Sequence, residues 1–471
     1  MRAVRIIAPF AAGLVVAAIP VPAGLATNAW IYFALFVAVI AGVIAEPIPA
    51  AAVGLAGVAV GAISGLVHGS PAQATAWALS GFADKTVWLI FAAYMFAFGY
   101  SKTGLGRRIA LALIRRMGRR TLGLGYAIAF ADLALAPIMP SNTARSGGTI
   151  YPIIRAIPEL YGSRPGDETA RKMGAYLMYT ALAVTCVTSS MFLTGLAPNV
   201  LVVGLAAQSL GVWITWIDWF KGFAPAGIIL FLLVPVLVYK IYPPEIKESP
   251  DAPRWAAEEL RKLGPLTGKE IRLLALVLAA LVMWIGGARY ADPALAAILV
   301  TVLMVIVRVV SWSDITGNAQ AWNVLVWFAT LVAMANGLAE TGFVAWLGQS
   351  LAPAFRTLGA TAAIVALVGA FYLLHYLFAS LTAHASALLP VFLAVAAQFP
   401  GVPPKAWALL LAYTLGLMGI LTPYATGPSP IYYGSGYIKG KDFWRLGLLL
   451  GVLFFAAYLA ITIPWLRWLL N

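Results

Sequence analysis

Residues 138–152 read IMPSNTARSGGTIYP, and residues 378–391 read FASLTAHASALLPV. Aligned on their small polar knots, Ser141-Asn142-Thr143-Ala144-Arg145 falls opposite Ser380-Leu381-Thr382-Ala383-His384, at a constant offset of 239 residues in a chain of 471. Each knot interrupts an apolar stretch that proline or glycine also breaks. The arms on either side are then too short to cross a bilayer, which takes about 20 apolar residues as a helix. A hydroxyl-rich knot between two such arms reads as the tip of a re-entrant hairpin, expected here at 122–157 and again at 360–399.

The surrounding chain is that of a polytopic membrane protein. Hydrophobic residues make up 62% of it and charged residues 10%, against about 25% charged in an average soluble domain. Apolar runs at 31–44, 87–100, 228–239, 273–285, 295–309 and 446–468, taken with their flanks, predict an all-α fold with about 11 transmembrane helices. The net charge of +14 sits in loops beside these runs, which argues against a nucleic-acid partner. Lys102, Arg107, Arg108, Arg115, Arg116, Arg119 and Arg120 follow one another without an acidic residue, the positive-inside signature. With Leu111, Leu113 and Ile114 between them, they predict an amphipathic helix lying on the inner leaflet. Cys186 is the single cysteine, so no internal disulfide can form, and neither a metal nor a cofactor is expected. At the N-terminus, Arg2 and Arg5 precede an apolar run as in a signal peptide. Further apolar segments follow at once, so the expectation is an uncleaved first span with its N-terminus inside.

A proline-rich, mixed-charge stretch at 241–272, with a short helix expected at 255–263, separates a first half, 1–240, from a second, 273–471. After the first hairpin, 173–206 reads as a helix interrupted at TGLAPN, 194–199. After the second, 406–438 is interrupted at TPYATGPSP, 422–430. Paired broken segments in two halves point to a transporter built from repeats, with its substrate site where the breaks meet. Half-helix N-termini offer unpaired N–H groups and positive dipole ends to an anion. Irregular backbone at membrane depth is tolerated only against protein or a water-filled cavity.

Ser141, Asn142 and Thr143, with Ser380 and Thr382, supply compact donors suited to a carboxylate. One such knot alone would read as a helix cap; its recurrence in register makes it half of a binding site. Arg145 places a charge among apolar neighbours, at about 2.5–3.5 kcal/mol on insertion scales, unless it snorkels to an interface. His375 and His384 share the second hairpin; His375 reads as packing and His384 as functional. Asp132, on the first hairpin's incoming arm, either pairs with Arg145 or lies at an interface. Thr194, Gly195, Pro198 and Asn199, and Thr426, Gly427, Pro428 and Ser429, read alone as loops, but beside the knots they expose backbone dipoles. No catalytic triad or phosphate-binding loop emerges, so an enzyme is not expected.

PSNTARSGGTIYPI, HYLFASLTAH and TPYATGPSPIYYGSGYI resemble the divalent anion/sodium symporter family. The likeness is nearer to its exchanger branch of citrate/succinate and tartrate/succinate antiporters and 2-oxoglutarate/malate translocators. The resemblance implies inverted repeats, a homodimer, and a scaffold with a moving transport domain that works as an elevator. It also implies that Ser141, Asn142 and Thr143 hold one substrate carboxylate while Ser380 and Thr382 hold another. Sodium-coupled members carry Ser-Asn-Thr in both hairpins, whereas Leu381 stands in the middle of the second one here. Arg145 and His384 are therefore expected to supply the positive charge that sodium supplies elsewhere. The expected function is sodium-independent exchange of di- or tricarboxylates such as succinate, malate, tartrate, citrate or 2-oxoglutarate across a bacterial inner membrane. A sodium-coupled symporter is the alternative; an anion channel and an intramembrane enzyme rank below it.

Overall fold

Helix-breaking residues set the element boundaries throughout the chain. The computed structural model describes residues 2–286, 292–356, 359–399 and 401–470. Among these the only β pairing is an isolated bridge between Arg120 and Glu248. The first half comprises α1 (Arg2–Ala18), α2 (Thr27–Ala45), α3 (Ala50–Ile63), α4 (Pro71–Leu79), α5 (Lys85–Thr103), α6 (Leu105–Met117) and α7 (Thr121–Leu135). A π-helix (Thr143–Ile150) then runs into α8 (Tyr151–Glu159), followed by α9 (Gly174–Met191), α10 (Ala197–Leu210) and α11 (Trp216–Ile241). Between the halves lies α12 (Asp251–Leu263). The second half comprises α13 (Gly268–Gly286), α14 (Pro293–Ile306), α15 (Trp312–Thr316), α16 (Ala319–Glu340), α17 (Phe343–Arg356), α18 (Ala360–Leu373), α19 (Leu381–Ala396), α20 (Pro404–Leu417), α21 (Pro428–Gly434) and α22 (Gly440–Leu470).

Read in order, α2 to α11 are answered helix for helix by α13 to α22. Capping explains several boundaries. The Asp84 carboxylate accepts from the amides of Thr86 and Val87 to start α5, and Gly104, at φ 78°, ends it. Thr215 and Asp218 form a reciprocal capping box at the start of α11, satisfying amides that have no partner within the helix.

Among the described residues, six helical segments are long and apolar enough to cross a membrane: Thr27–Ala45, Pro71–Thr103, Trp216–Ile241, Ala319–Glu340, Ala360–Leu377 and Gly440–Leu470. One of them is the incoming arm of the second hairpin, where a 3-10 turn (Leu374–Leu377) extends α18 to 18 residues, and such a turn rises about 2 Å per residue.

Two groups of helices emerge from the packing. α2 to α5 pack with one another and with α14 and α16. α7 to α11 pack with α18 to α22 around α9 and α20, and every residue of α9 is buried. The basic helix expected on the leaflet surface is α6, and it is less free than anticipated. Leu105, Gly106, Ala110, Leu111 and Ile114 are buried because α6 packs on α7 and α12, and Arg107 and Arg108 find their carboxylates on Glu259 and Glu270.

Candidate functional site

At the first hairpin, α7 ends ahead of Pro137 and Pro140, neither of which can continue a helix without losing a hydrogen bond. The Pro140 carbonyl instead accepts from the Ala197 amide at 2.8 Å, tying the tip to the start of α10. The Ser141 hydroxyl caps the outgoing arm by accepting from the Ala144 amide at 3.2 Å. That arm opens as a π-helix, a geometry frequent at functional sites, and its Gly147 leaves room for Ile431 of α21, which a side chain there would displace. The Ser146 and Tyr432 hydroxyls lie 2.8 Å apart, and the Asn142 amide group donates to the Thr426 hydroxyl at 2.8 Å. The first hairpin thus seats on the second broken helix.

Arg145 is fully buried. Its Nε donates to Asp132 at 3.2 Å, and Nη1 donates to the carbonyls of Met139 and Gly195, both at 2.8 Å. Nη2 reaches the hydroxyls of Ser189 at 3.0 Å, Thr185 at 3.2 Å and Thr188 at 3.5 Å, and Thr188 also donates to Asp132. Asp132 thus lies against the guanidinium expected to supply positive charge in place of sodium, and the other donors of Arg145 staple the hairpin to α9 and the first break. Thr185, Thr188 and Ser189 are site-organising residues that the sequence reading passed over. Their signal was the run TCVTSS at 185–190, hydroxyls at i, i+3 and i+4 on one face of an apolar helix.

The second hairpin is built differently. Ser380, extended at φ −151° and ψ 130°, caps α19 by accepting from the Ala383 amide at 3.3 Å. His384 is fully buried, enclosed edge-on by the rings of Phe371, Phe378 and His375 at centroid distances of 4.4, 5.0 and 5.0 Å. Among the described residues, neither of its ring nitrogens has a hydrogen-bond partner. Nε2 of His375 lies 2.8 Å from the Ala425 carbonyl. Leu381 is buried, while Ser380 and Thr382 are half-buried.

The two tips meet through the second broken helix, because Ala425 holds His375 and the adjacent Thr426 holds Asn142. Thr143 and Gly427 are exposed side by side, and a side chain on Gly427 would overlap the Thr143 hydroxyl. In the first broken helix the side-chain donors are engaged inside the protein, while the buried Asn199 Oδ1 has no partner among the described residues. Thr194 donates to the Pro137 carbonyl and accepts from the Trp216 indole at 3.1 Å. The Asn199 amide group donates to the carbonyls of Ser189 at 2.7 Å and Phe192 at 3.1 Å. Gly195 and Pro198 are buried beside them. In the second break, Pro428 is buried and the Ser429 hydroxyl donates to the Gly419 carbonyl at 3.1 Å.

What stays available is backbone, together with the hydroxyls of the exposed Thr143 and the half-buried Thr382. The serine caps take the amides of Ala144 and Ala383; among the described residues no backbone acceptor meets those of Asn142 and Thr143 at one tip, or of Leu381 and Thr382 at the other. Four N–H groups at helix starts form an anion-binding chemistry. A cavity of about 660 Å³ opens beside Gly148 and Thr149 of the π-helix, walled by Tyr100, Arg107, Trp255 and Glu259.

Comparison with known proteins identifies the relatives of this chain. The chain is 48% identical over 474 residues to the L-tartrate/succinate antiporter of Shigella sonnei strain Ss046, covering 98% of this chain and 97% of that one. It is 47% identical, with the same coverage, to the L-tartrate/succinate antiporter of Escherichia coli K12. Among solved structures, the Alcanivorax borkumensis YdaH transporter superposes with a TM-score of 0.60 at 15% identity, over 85% of this chain and 91% of that one. Neisseria gonorrhoeae MtrF gives a TM-score of 0.56 at 15% identity, over 82% and 83%; these two speak to the fold alone. The family described as "Sodium:sulfate symporter transmembrane region" matches residues 1–471, and the chain belongs to that family.

Proposed function

We propose that the protein is a secondary transporter that exchanges one dicarboxylate for another across a bacterial inner membrane, one carboxylate at each hairpin tip. The observation that carries this reading is the matched pair of serine-capped tips with open amides, joined through Ala425 and Thr426. It is supported by full-length similarity to antiporters whose names specify tartrate and succinate. Citrate, malate and 2-oxoglutarate remain in the substrate class, because the same donors suit any carboxylate.

With Arg145 matched by Asp132, and His384 enclosed by rings where burial disfavours a charge, the positive potential at the tips comes from the open amides and half-helix dipoles. Exchange follows from polar satisfaction. An empty site carries unpaired N–H groups, each expensive away from water, so the moving body crosses only when carboxylates fill them. That body comprises α7–α11 with α18–α22, sliding as an elevator against α2–α5 and α13–α16, in a homodimer with the N-terminus inside; the division of packing supports it. Leu381 removes a side-chain oxygen from the second knot, and transport is therefore independent of sodium.

Liposomes test this directly. Labelled succinate or tartrate should enter only when unlabelled dicarboxylate is inside, equally in sodium and sodium-free buffer. Uptake into empty liposomes on a sodium gradient would replace exchange with symport.

A further inference from the structure

Helix α6 and the inter-half helix α12 face each other across a groove of about 910 Å³. Arg115 and Arg116 from α6 and Arg261 from α12 line it together with Leu113 and Leu260, and no carboxylate does. Arg108 also reaches the groove but is already engaged. Its Nε and Nη2 hold Glu270 at 2.7 and 3.2 Å, and its Nη1 donates to the Gly264 carbonyl at 2.8 Å, which satisfies the C-terminus of α12. The other three arginines are exposed. Among the described residues, the ion pairs of these two helices belong to Arg107, Arg108, Arg254 and Lys262. Arg115, Arg116 and Arg261 are left as uncompensated forks of donors.

Guanidinium forks match phosphate oxygens with paired hydrogen bonds, and basic pockets beside membrane spans suit anionic headgroups. α6 leads into α7 and α12 precedes α13, both rich in apolar residues, so the groove lies where spans meet water. We propose that it binds the phosphodiester headgroup of an anionic phospholipid from the adjoining leaflet, with Leu113 and Leu260 against the glycerol and upper acyl chain. α6 connects α5 to the first hairpin, and α12 connects α11 to α13. One headgroup would therefore clamp two connectors between the helix groups, and lipid charge would set how readily they move.

Full-length protein is stripped with detergent and returned to phosphatidylcholine discs carrying increasing phosphatidylglycerol. Retained lipid is read by native mass spectrometry and stability by melting. Wild type should retain phosphatidylglycerol and melt higher as its content rises. Near an anionic surface each arginine strengthens attachment about fivefold, so R115Q/R116Q/R261Q should bind about a hundredfold more weakly, while the triple lysine variant, which keeps the charge and loses the paired forks, should fall between it and wild type. The single R261Q, on the exposed side of α12, carries about a fivefold loss should the triple fail to fold. Glutamine variants that retain phosphatidylglycerol like wild type would overturn the proposal. So would inorganic phosphate or succinate stabilising the protein as well as the lipid does, since the groove would then hold a free anion. Lipid retention does not rest on the dicarboxylate reading. Only a companion counterflow assay does, and absence of counterflow in every membrane would fault that reading alone.

Discussion

At the first hairpin tip a buried guanidinium engages six residues; at the second, an imidazole buried as deeply engages none of the described residues through its nitrogens. The positions correspond in the repeat, 145 and 384, and both side chains are fully buried. One has become a polar staple to α9 and the other a ring held among rings. A tip fixed by a network of charge-assisted hydrogen bonds resists displacement, whereas at the second tip His384 can shift without breaking a hydrogen bond and the hairpin is tied to the break through His375 and Ala425. The difference assigns the two hairpins unequal roles, an anchored seat and a more readily moved cover.

The largest effect should come from breaking the anchor. Arg145→Ala leaves Asp132 buried and uncompensated, a loss of about 3–5 kcal/mol, seen as a lowered melting temperature in detergent together with lost exchange. The double change Asp132→Asn with Arg145→Gln should recover part of that stability. A single alanine variant that melts like wild type would dissolve the contrast between the tips. Next, Thr426→Val removes the acceptor for Asn142 and leaves a buried donor unmet at about 1–3 kcal/mol, with a raised KM for dicarboxylate.

His384→Phe should move stability by less than about 1.5 kcal/mol, because volume is nearly conserved and no hydrogen bond is lost. Exchange should nonetheless fall, and unchanged exchange would reduce the residue to packing. Smallest of all is a surface pair that calibrates the buried one. The Lys102 ammonium, with help from the Ser311 backbone amide and hydroxyl, holds the Asp314 carboxyl down from 3.8 to about 2. Its contribution is present above pH 3.8 and disappears as pH falls through about 2. Because both groups are partly exposed, Lys102→Met should cost under about 1 kcal/mol, read from melting at neutral pH against pH 2.

The broken plan of the chain was legible because proline, glycine and hydroxyl residues interrupt apolar runs at matching places in both halves. Local chemistry marks such breaks, and the serine caps at 141 and 380 follow from it. What stayed hidden depends on partners distant in sequence. Whether Asp132 met Arg145 or an interface turned on how α7, α9 and the π-helix pack. The ring enclosure of His384 needed Phe371 and Phe378 to converge across a turn. The amphipathic pattern of α6 was visible, but the cover provided by α12, almost 150 residues later, was not. The π-helix has only Gly147 and Gly148 as a hint, and their meaning appears once Ile431 is in place.

That the first hairpin is completed by the second broken helix also bears on biogenesis. Asn142 and Ser146 find their partners at Thr426 and Tyr432, separated by 284 and 286 residues. During synthesis the first tip must therefore enter the membrane and wait, its polar groups unmet, until nearly the whole second half has emerged. A ribosome that stalls in the final spans leaves behind an incompletely closed first half, a natural target for membrane proteases.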